Sequence, residues 1–405
     1  MPLQRLTFQP ETRSPLHGIR VLDFARLAAG NMLSLQLADF GAEVVKVEEP
    51  RHGDTLRNWK TEGKSLHWKV YARNKKSITL DLKLPQSRAL VLRLLPQFDV
   101  MCESFRYREL ERMGLGWDVL SAANPKLILV RISGFGQTGP YAPRPGFGTL
   151  IEAMSGFASL NGFADREPLL PPLALADMIA GLAGAVAVQA AIREVEQHGG
   201  RGQVVDVNLL EAMVSVLAVE SAWHRTTGRI KTRTGNASAA AAPRNVYRTS
   251  DGAWLALSSS TEAMTRRVWT CVGRPELNDD LRFNTNAARV RNRDEVDRII
   301  GDWVGARTLA EALKGFESAG VTAAPVYDMR QFLEDPHVQQ RGVMVEIDDE
   351  DMGSLPVHHP GPRLSETPPA IRSRAPHLGE HNDEIWGRAG LSTAELAAMR
   401  EGGVI

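Results

Sequence analysis

Asp177 is the residue of this chain whose sequence surroundings most favour chemistry. It lies in the small and apolar run Pro-Pro-Leu-Ala-Leu-Ala-Asp177-Met-Ile-Ala-Gly and is the one ionisable residue between positions 171 and 191. A carboxylate needs no separate base to act as a nucleophile, because its usual pKa of about 3.9 leaves it ionised at neutral pH. The spacing alone also fits a structural role, since aspartate is a favoured N-cap residue of helices.

A glycine motif with the spacing of a dinucleotide-binding loop occurs at Gly134-Phe-Gly136-Gln-Thr-Gly139. In a nucleotide-binding fold such a loop opens a helix, and the first turn of that helix binds the pyrophosphate. Here Pro140, Pro143 and Pro145 follow at once, and a helix cannot run through them. We therefore expect no nicotinamide or flavin cofactor. The glycines are predicted to let the backbone approach a ligand or another segment closely.

Metal chemistry and other nucleophiles receive little support. The two cysteines, Cys102 and Cys271, do not have a metal-binding spacing, and the ten histidines include one adjacent pair. The sequence has no G-x-S-x-G motif, and no histidine occurs between His67 and His198. We expect no metal site and no local histidine partner for Asp177.

Basic residues next to predicted strands are candidates for binding phosphate groups. The cluster Arg73-Asn-Lys-Lys76 precedes one predicted strand and Lys83 follows it, while Arg106, Arg108 and Arg112 follow another. Lysine and arginine bind phosphate through charge-assisted hydrogen bonds, and open α/β sheets bind ligands at the carboxyl ends of their strands. An ordinary solvated surface is an equally good interpretation of the first cluster.

The elements that would position these residues alternate between strands and helices. Apolar runs predict strands at 19–24, 43–48, 77–82, 100–105 and 127–133. Helices are predicted between them, and a long helix rich in alanine and glycine is predicted over 176–197. A further strand begins at Gln203 and leads into a helix over 208–225. This order predicts an α/β fold with a mostly parallel sheet.

The character of the sequence changes after Gly228. A polar and alanine-rich connector leads to a predicted hairpin over 244–260, whose turn is Ser250-Asp-Gly252. Two or three amphipathic helices then follow, up to Gly320. We predict a large domain over 1–228, a small α+β domain over 229–325, and a C-terminal part over 326–405.

Charge and length exclude several classes of protein. The 48 basic residues balance 48 acidic ones, which argues against nucleic acid or an anionic membrane as a partner. A chain of 405 residues is too long for one compact core, so two domains are expected. No run approaches the roughly 18 uninterrupted apolar residues that a membrane helix needs. The first ten residues lack the apolar stretch of a signal peptide. We expect a soluble cytoplasmic protein.

Ordered segments along almost the whole chain resemble those of class III CoA-transferases, the family that includes formyl-CoA and carnitine CoA-transferases. The segments are Gly18-Ile-Arg-Val-Leu-Asp-Phe, Ala38-Asp-Phe-Gly-Ala-Glu-Val-Val-Lys-Val-Glu, Asn74-Lys-Lys-Ser-Ile-Thr-Leu-Asp-Leu-Lys, Leu110-Glu-Arg-Met-Gly-Leu-Gly, Ser133-Gly-Phe-Gly-Gln-Thr-Gly-Pro, Gly202-Gln-Val-Val-Asp-Val and Gly379-Glu-His-Asn. The resemblance implies a Rossmann-like large domain built from both chain ends, a smaller middle domain, and two subunits interlocked as a homodimer.

The resemblance also implies a reaction. Asp177 would attack the thioester of an acyl-CoA, and coenzyme A would pass to a carboxylic acid through aspartyl anhydrides and an aspartyl-CoA thioester. By position, contacts with coenzyme A are implied for Ala29, Arg51, Leu80, Lys83, Ser104, Phe105, Arg112, Arg144 and Phe147. Coenzyme A would be bound as a substrate, with no further cofactor.

The chain departs from the family pattern at several positions. Asn31 replaces a proline, Ser104 stands where asparagine is common, and Glu49 replaces an arginine whose role Arg51 would have to take. An alanine-rich segment at 236–243 stands where formyl-CoA enzymes have a glycine-rich loop, which argues against formyl-CoA and oxalate as substrates.

Two alternatives remain. An α-methylacyl-CoA racemase would pair the aspartate with a histidine on the loop after Gly-Pro, but here that loop reads Arg144-Pro-Gly-Phe147-Gly. A CoA-binding protein without catalytic activity is the other. For a transferase, we expect short dicarboxylic acids, with succinyl-CoA as the donor.

Overall fold

The structure, a computed structural model, describes residues 2–405. The strands are β1 (Gln4–Arg5), β2 (Arg20–Asp23), β3 (Glu43–Glu48), β4 (Lys75–Thr79), β5 (Val100–Glu103), β6 (Ile128–Ser133), β7 (Val204–Asn208), β8 (Arg244–Arg248), β9 (Trp254–Ser258), β10 (Ala323–Pro325), β11 (Met344–Asp349) and β12 (Gly353–His358).

The helices lie between these strands and at the C-terminal end. They are α1 (Leu27–Asp39), α2 (Leu66–Tyr71), α3 (Ser87–Leu94), α4 (Glu109–Arg112), α5 (Trp117–Ala123), α6 (Gly148–Met154), α7 (Phe157–Leu160), α8 (Leu175–His198), α9 (Leu209–Ser215), α10 (Ala218–Thr227), α11 (Glu262–Cys271), α12 (Asn286–Arg291), α13 (Arg293–Gly305), α14 (Leu309–Ser318), α15 (Met329–Glu334), α16 (Pro336–Arg341), α17 (Asn382–Arg388) and α18 (Thr393–Glu401). Short 3₁₀ helices lie at Thr55–Asn58, Leu95–Gln97 and Pro275–Asn278.

The described strands form three sheets. The largest has six parallel strands in the order β4-β3-β2-β5-β6-β7. A second sheet joins β8, β9 and β10 in antiparallel pairs, and the third joins β1 to β11 and β12. The parallel sheet with helices between its strands confirms the predicted α/β, Rossmann-like fold. The hairpin predicted over 244–260 is also present, as β8 and β9.

The chain divides into two compact units. The first contains the chain up to Ser155, Pro171–Ala218 and Pro336–Ile405, and the second contains Gly156–Leu170 and Val219–Asp335. These boundaries differ from the sequence-based ones, because residues 156–170, 219–228 and 326–335 all lie in the second unit. The parallel pairing of β1 with β11 joins the two ends of the chain within the first unit.

The central strands of the parallel sheet are buried and largely apolar. Val44, Val45 and Val47 of β3 are buried, and so are Val100 and Met101 of β5. Strands covered by helices on both sides are typically continuous apolar runs rather than alternating ones, and β-branched residues favour extended backbone. The buried strands therefore hold in place the loops that follow their carboxyl ends.

Two predicted helices differ in extent from the observed ones. The helix predicted between the strands at 77–82 and 100–105 is observed as α3, which ends at Leu94 and continues as a 3₁₀ turn, because Pro96 has no N–H to donate to the preceding turn. The helix predicted over 208–225 is two helices, α9 and α10, separated at Val216 and Leu217.

The long helix α8 packs against α1 through its glycines. A Cβ on Gly181 would lie 2.7 Å from Cβ of Met32 and 2.8 Å from the carbonyl oxygen of Ala29, so only glycine fits there. Within the described residues α8 is also the one helix long and apolar enough to cross a membrane, a property that core helices of soluble proteins share. The cytoplasmic location stays a prediction.

Candidate active site

Asp177 lies in the first turn of α8. The helix begins at Leu175, and its N-cap residue is Ala174, so Asp177 is the third helical residue. The interpretation of Asp177 as the N-cap is therefore wrong. Three residues into the helix, its carboxylate still lies within the turn where backbone N–H groups have no intrahelical partner and where the helix dipole favours negative charge.

Two backbone groups stabilise the carboxylate of Asp177. The N–H of Ala29, in the first turn of α1, and the N–H of Asp177 itself both lower its pKa by hydrogen bonding. Ala29 is buried and Asp177 is only partly exposed. The close packing of α1 on α8 thus brings a backbone donor from the start of one helix to the nucleophile candidate at the start of the other.

Glu152 is a second carboxylate at this site, and the sequence analysis missed it. It belongs to α6, is 2 % exposed, and its Oε1 accepts a hydrogen bond of 3.0 Å from the N–H of Ala176. Because Ala174 has no polar side chain, Glu152 takes over part of the capping of α8 from another helix. A glutamate in the otherwise apolar and small run Gly148–Met154 was the available signal.

Gly148 faces the same carboxylate. A Cβ built on Gly148 would overlap Oδ2 of Asp177 and would lie 3.7 Å from Oε1 of Glu152. Both carboxylates therefore lie within 4 Å of one point beside the Gly148 backbone. The carboxylate of Asp177 therefore packs directly against the backbone of Gly148, and a side chain at position 148 would displace it.

The pKa of Asp177 is raised to about 6. Burial is the largest cause, the negative charge of Glu152 is the second, and the two backbone hydrogen bonds oppose both. At a pH of about 7 most molecules still carry the ionised form, since one unit of difference corresponds to about a tenfold ratio. The carboxylate is thus available as a nucleophile and is more basic than the ordinary aspartate assumed from the sequence.

The residues implied to contact coenzyme A follow the carboxyl ends of adjacent parallel strands. Arg51 follows β3, Leu80 and Lys83 follow β4, and Ser104 and Phe105 follow β5. Leu80 is buried, while Arg51 and Lys83 are exposed. Because β2 to β5 run parallel, these positions share one edge of the sheet, which is the edge where open α/β sheets bind ligands.

The remaining implied contacts lie near the same edge. Ser104 accepts a 2.9 Å hydrogen bond at Oγ from the N–H of Arg26, which leads into α1 and Ala29. Arg112 ends α4 beyond β5, with an exposed side chain that pairs with Glu109. These are positions along an edge, and a role in binding coenzyme A stays a prediction for each residue.

The loop between β6 and α6 carries Arg144 and Phe147. The guanidinium of Arg144 stacks on the ring of Tyr141, 3.6 Å from its centroid. Phe147 directly precedes Gly148, and its side chain is 62 % exposed. The structure therefore brings Phe147 next to the glycine that faces Asp177, with an apolar surface open to a ligand.

The glycine motif at 134–139 has a structural explanation. A Cβ on Gly134 would lie 2.8 Å from the Cα of Gly146, so the two segments of this loop cross backbone to backbone. The next helix, α6, begins only at Gly148. The prediction that these glycines allow close approach to another segment is confirmed at Gly134.

The basic cluster before β4 does not form a phosphate site. The side chain of Arg73 is buried against Asp39, with an Nη2 to Oδ2 distance of 2.6 Å, and Lys76 pairs with two glutamates. Lys75 is 2 % exposed, donates to Oδ1 of Asn31 at 2.9 Å, and burial lowers its pKa to about 7. Both earlier interpretations, phosphate binding and solvated surface, are wrong for Arg73 and Lys75.

Buried polar groups fix the start of α1. Asp54 accepts hydrogen bonds from the N–H of Leu27 at 3.2 Å and from Nδ2 of Asn31 at 2.8 Å, and pairs with Lys46 at 2.9 Å. Asn31, which departs from the family pattern, thus connects Asp54 to Lys75. The network holds the turn that carries Ala29, and of its members only Lys75 was a sequence-based candidate, for a different role.

A cavity of about 810 Å³ opens at the opposite, amino-terminal edge of the sheet. It is lined by the starts of β3 and β4 and by residues from segments 8–17 and 372–381, and the described residues that line it include neither Asp177 nor any residue implied to contact coenzyme A. The chemistry-bearing groups lie at the other edge, so we assign the candidate site there. Among residues 2–405 no group of three or more histidine, cysteine, aspartate or glutamate side chains is placed to hold a metal ion.

The chain is similar to proteins of known activity over almost its entire length. Residues 16–382 match the family model described as CoA-transferase family III. A succinyl-CoA–D-citramalate CoA-transferase of Chloroflexus aurantiacus is 40% identical over 395 residues, which cover 96% of this chain and 98% of the relative. A succinate–glutarate CoA-transferase of Agrobacterium fabrum is 37% identical, covering 97% of this chain and 100% of the relative.

Solved structures show the same fold. A CaiB/BaiF family protein from Brucella suis is 34% identical, covers 93% of this chain and 100% of its own, and superposes with a TM-score of 0.81. A hypothetical protein from Mycobacterium tuberculosis is 29% identical, covers 92% and 99%, and has a TM-score of 0.82.

Proposed function

The chain belongs to CoA-transferase family III and is an enzyme that transfers coenzyme A, and from this premise we propose that Asp177 is its catalytic nucleophile. The observation that carries this assignment is the place of Asp177 in the first turn of α8, where its Oδ2 packs against the backbone of Gly148 and its pKa is raised to about 6. A partly buried carboxylate at a helix start, ionised at neutral pH and still partly exposed, has the properties that attack on a thioester requires.

The proposed first half-reaction begins with attack of Asp177 on the acyl-CoA carbonyl carbon. The C–S bond breaks, the thiolate of coenzyme A leaves, and an acyl-aspartyl anhydride forms. The thiolate then attacks the aspartyl carbonyl carbon, which releases the donor acid as its carboxylate and leaves coenzyme A on Asp177 as a thioester. Burial of the site protects the anhydride from hydrolysis.

The second half-reaction reverses this order with a new acid. The acceptor carboxylate attacks the aspartyl thioester, coenzyme A leaves as the thiolate, and a second anhydride forms. Attack of the thiolate on the acceptor's acyl carbon gives the new acyl-CoA and regenerates the carboxylate of Asp177. In each step the N–H of Ala29, which hydrogen-bonds the carboxylate in the free enzyme, would hold the aspartyl group in place.

Succinyl-CoA is the proposed donor and a short dicarboxylic acid the proposed acceptor. This is supported by relatives named as transferases between succinyl-CoA and D-citramalate or L-malate, and between succinate and glutarate. Arg51, Lys83, Arg112 and Arg144 are the cations proposed to hold the phosphates of coenzyme A or a second carboxylate. Ala29, Leu80, Ser104, Phe105 and Phe147 would contact the rest of the coenzyme.

A homodimer is proposed for the enzyme. In the single chain several large apolar side chains of the first unit are exposed, among them Leu182 and Val186 on α8 and Val214 on α9. Exposed apolar patches of this kind mark interaction surfaces. Light scattering should give twice the mass of 44.5 kDa, and if the subunits interlock, dilution should not yield monomer.

The decisive experiment combines an assay with trapping of the intermediate. The purified enzyme is incubated with succinyl-CoA, quenched, digested and examined by mass spectrometry for coenzyme A on the peptide that contains Asp177. Asp177→Asn should abolish both the adduct and transfer to glutarate, malate or citramalate. Asp118→Asn, on the exposed surface of α5, is the matched control and should retain both.

The same preparation separates the two other hypotheses. A racemase would exchange the α-proton of an acyl-CoA in heavy water without moving coenzyme A to a second acid, and it would need a second acid–base group on the opposite face of the substrate. A silent CoA-binding protein would bind coenzyme A without either reaction. Transfer at the wild-type rate by Asp177→Asn would contradict the proposed nucleophile.

A further inference from the structure

Glu152 is the one chemistry-bearing side chain at this site that the proposed reaction does not use. Its carboxylate is almost entirely buried, on the helix that begins with Gly148, and it reaches the first turn of α8 beside Asp177. Burying a second carboxylate next to a nucleophilic one is unfavourable, because like charges repel most strongly where water is excluded. Capping of α8 alone would be served as well by a neutral side chain such as glutamine or serine.

Each covalent intermediate of the proposed reaction changes the charge of Asp177. The free aspartate is negative, whereas the anhydride and the thioester formed on it are neutral. A fixed negative charge beside Asp177 therefore raises the free energy of the free carboxylate but acts less on the intermediates. The same repulsion makes Asp177 a stronger base, and nucleophilic strength generally rises with basicity.

We propose that Glu152 is a positioning residue for Asp177: it holds the first turn of α8 through the N–H of Ala176 and presents a fixed negative charge that favours the acyl- and CoA-bound forms of Asp177 over the free carboxylate. The inference rests on the proposed function of Asp177. It adds a role for a residue that does not touch the reacting atoms and acts through its neighbour.

Other ionisable groups on the elements that pack against α8 do not take this role. They are Asp39 of α1, Arg131 of β6, Asp206 of β7 and Glu211 of α9. Asp39 pairs with Arg73, Arg131 pairs with Glu103 and Glu111, Asp206 accepts from the N–H of Gln137, and Glu211 is exposed. On α8 itself the next ionisable residue is Arg193, about 24 Å along the helix at 1.5 Å per residue.

The test compares two substitutions of Glu152. Glu152→Gln removes the charge but keeps an oxygen that can accept the hydrogen bond of Ala176, while Glu152→Ala removes both. Two quantities are measured: the pH dependence of kcat/KM with succinyl-CoA, and the fraction of enzyme that carries coenzyme A on Asp177 after a quench at equilibrium. Thermal unfolding of each variant reports on the helix start.

For Glu152→Gln we expect an unchanged unfolding temperature, an acid limb of kcat/KM shifted to lower pH, and a roughly three- to tenfold lower ratio of CoA-bound to free Asp177, since one pKa unit equals a factor of ten. Glu152→Ala should add a loss of thermal stability. An unchanged acid limb and adduct ratio in Glu152→Gln would overturn the inference and leave Glu152 as a helix cap only. A wild-type enzyme that transfers coenzyme A without an adduct on Asp177 would instead overturn the proposed function and this inference together.

Discussion

Gly148 and Asp177 face each other so closely that a methyl group on Gly148 would overlap Oδ2 of Asp177. The backbone of α6 thus packs directly against the carboxylate, at a distance that only glycine allows. Gly148 has an ordinary helical position rather than a left-handed conformation, since it is absent from the residues with positive φ. The requirement for glycine is therefore steric, and a substitution tests how strictly the position of the nucleophile is set.

Gly148→Ala should lower kcat/KM for succinyl-CoA by about a hundredfold or more, because a displacement of about 1 Å at a reacting group has effects of that size. Alanine favours helix, so α6 should still form. Gly387→Ala in α17 is the matched control, since a Cβ there meets no atom within 4 Å of the described structure. Wild-type kinetics for Gly148→Ala would show that the reaction does not depend on the contact between Gly148 and the carboxylate of Asp177.

Asp177→Asn should stabilise the protein at neutral pH. Burial raises the pKa of Asp177 to about 6 in the folded state, so this group favours folding most below a pH of about 4, and that contribution is lost as the pH rises through 6. Above that pH the ionised carboxylate lowers the free energy of unfolding by about 2 kcal/mol, allowing for its partial exposure. Asparagine avoids this penalty at nearly the same size.

The check is urea denaturation of wild type and Asp177→Asn at two pH values. The gain in the free energy of unfolding should be present at a pH of about 8 and largely absent at about 4.5, with Asp118→Asn showing no such difference. An equal gain in the free energy of unfolding at both pH values would mean that ionisation of Asp177 does not destabilise the folded protein.

Asn31→Ala should destabilise the fold and slow the reaction together. Asn31 is fully buried and connects Asp54 to Lys75, so its removal leaves two buried polar groups each short of a partner. Leaving these buried groups without a partner should lower the free energy of unfolding by about 2–3 kcal/mol. Since this network holds the turn with Ala29, kcat should also fall. Ser121→Ala, at a partly exposed position of α5, is the control, and unchanged stability in Asn31→Ala would exclude a supporting role for the network.

Gly181→Ala should destabilise the protein by about 1–3 kcal/mol, the usual range for overpacking. A Cβ at this position meets both Met32 and the carbonyl of Ala29, so α1 and α8 would have to move apart. Gly387→Ala again serves as the control, and there replacement of a helical glycine by alanine should be neutral or slightly stabilising. Equal unfolding free energies for the two variants would contradict the tight contact of α1 with α8.

Much of the fold follows from local signals in the sequence. The strand predicted over 43–48 is observed as β3, and the helix predicted over 176–197 is observed as α8, one residue longer at each end. Both elements have a strong periodic or compositional pattern, and Gly199 adopts the left-handed conformation that ends α8. The choice of Asp177 as a candidate rested on its lone charge in an apolar run together with the family resemblance of the ordered segments.

The surroundings of Asp177 followed from no local signal. Glu152 lies 25 positions away in sequence, and only the packing of α6 on α8 turns it into a neighbour of the carboxylate. The cluster at Arg73–Lys76 looked available for phosphate, yet two of its side chains are buried in ion pairs and hydrogen bonds with residues of α1.

The sequence by itself therefore determined the order of elements, the parallel sheet, the family and the residue that carries the proposed reaction, because these depend on backbone preferences and on patterns within short segments. Only the tertiary structure decided which groups surround that residue, how far its pKa rises, and which cations are buried. Desolvation and charge repulsion act through space between distant parts of the chain, and they exist only once α1, α6 and α8 have packed together.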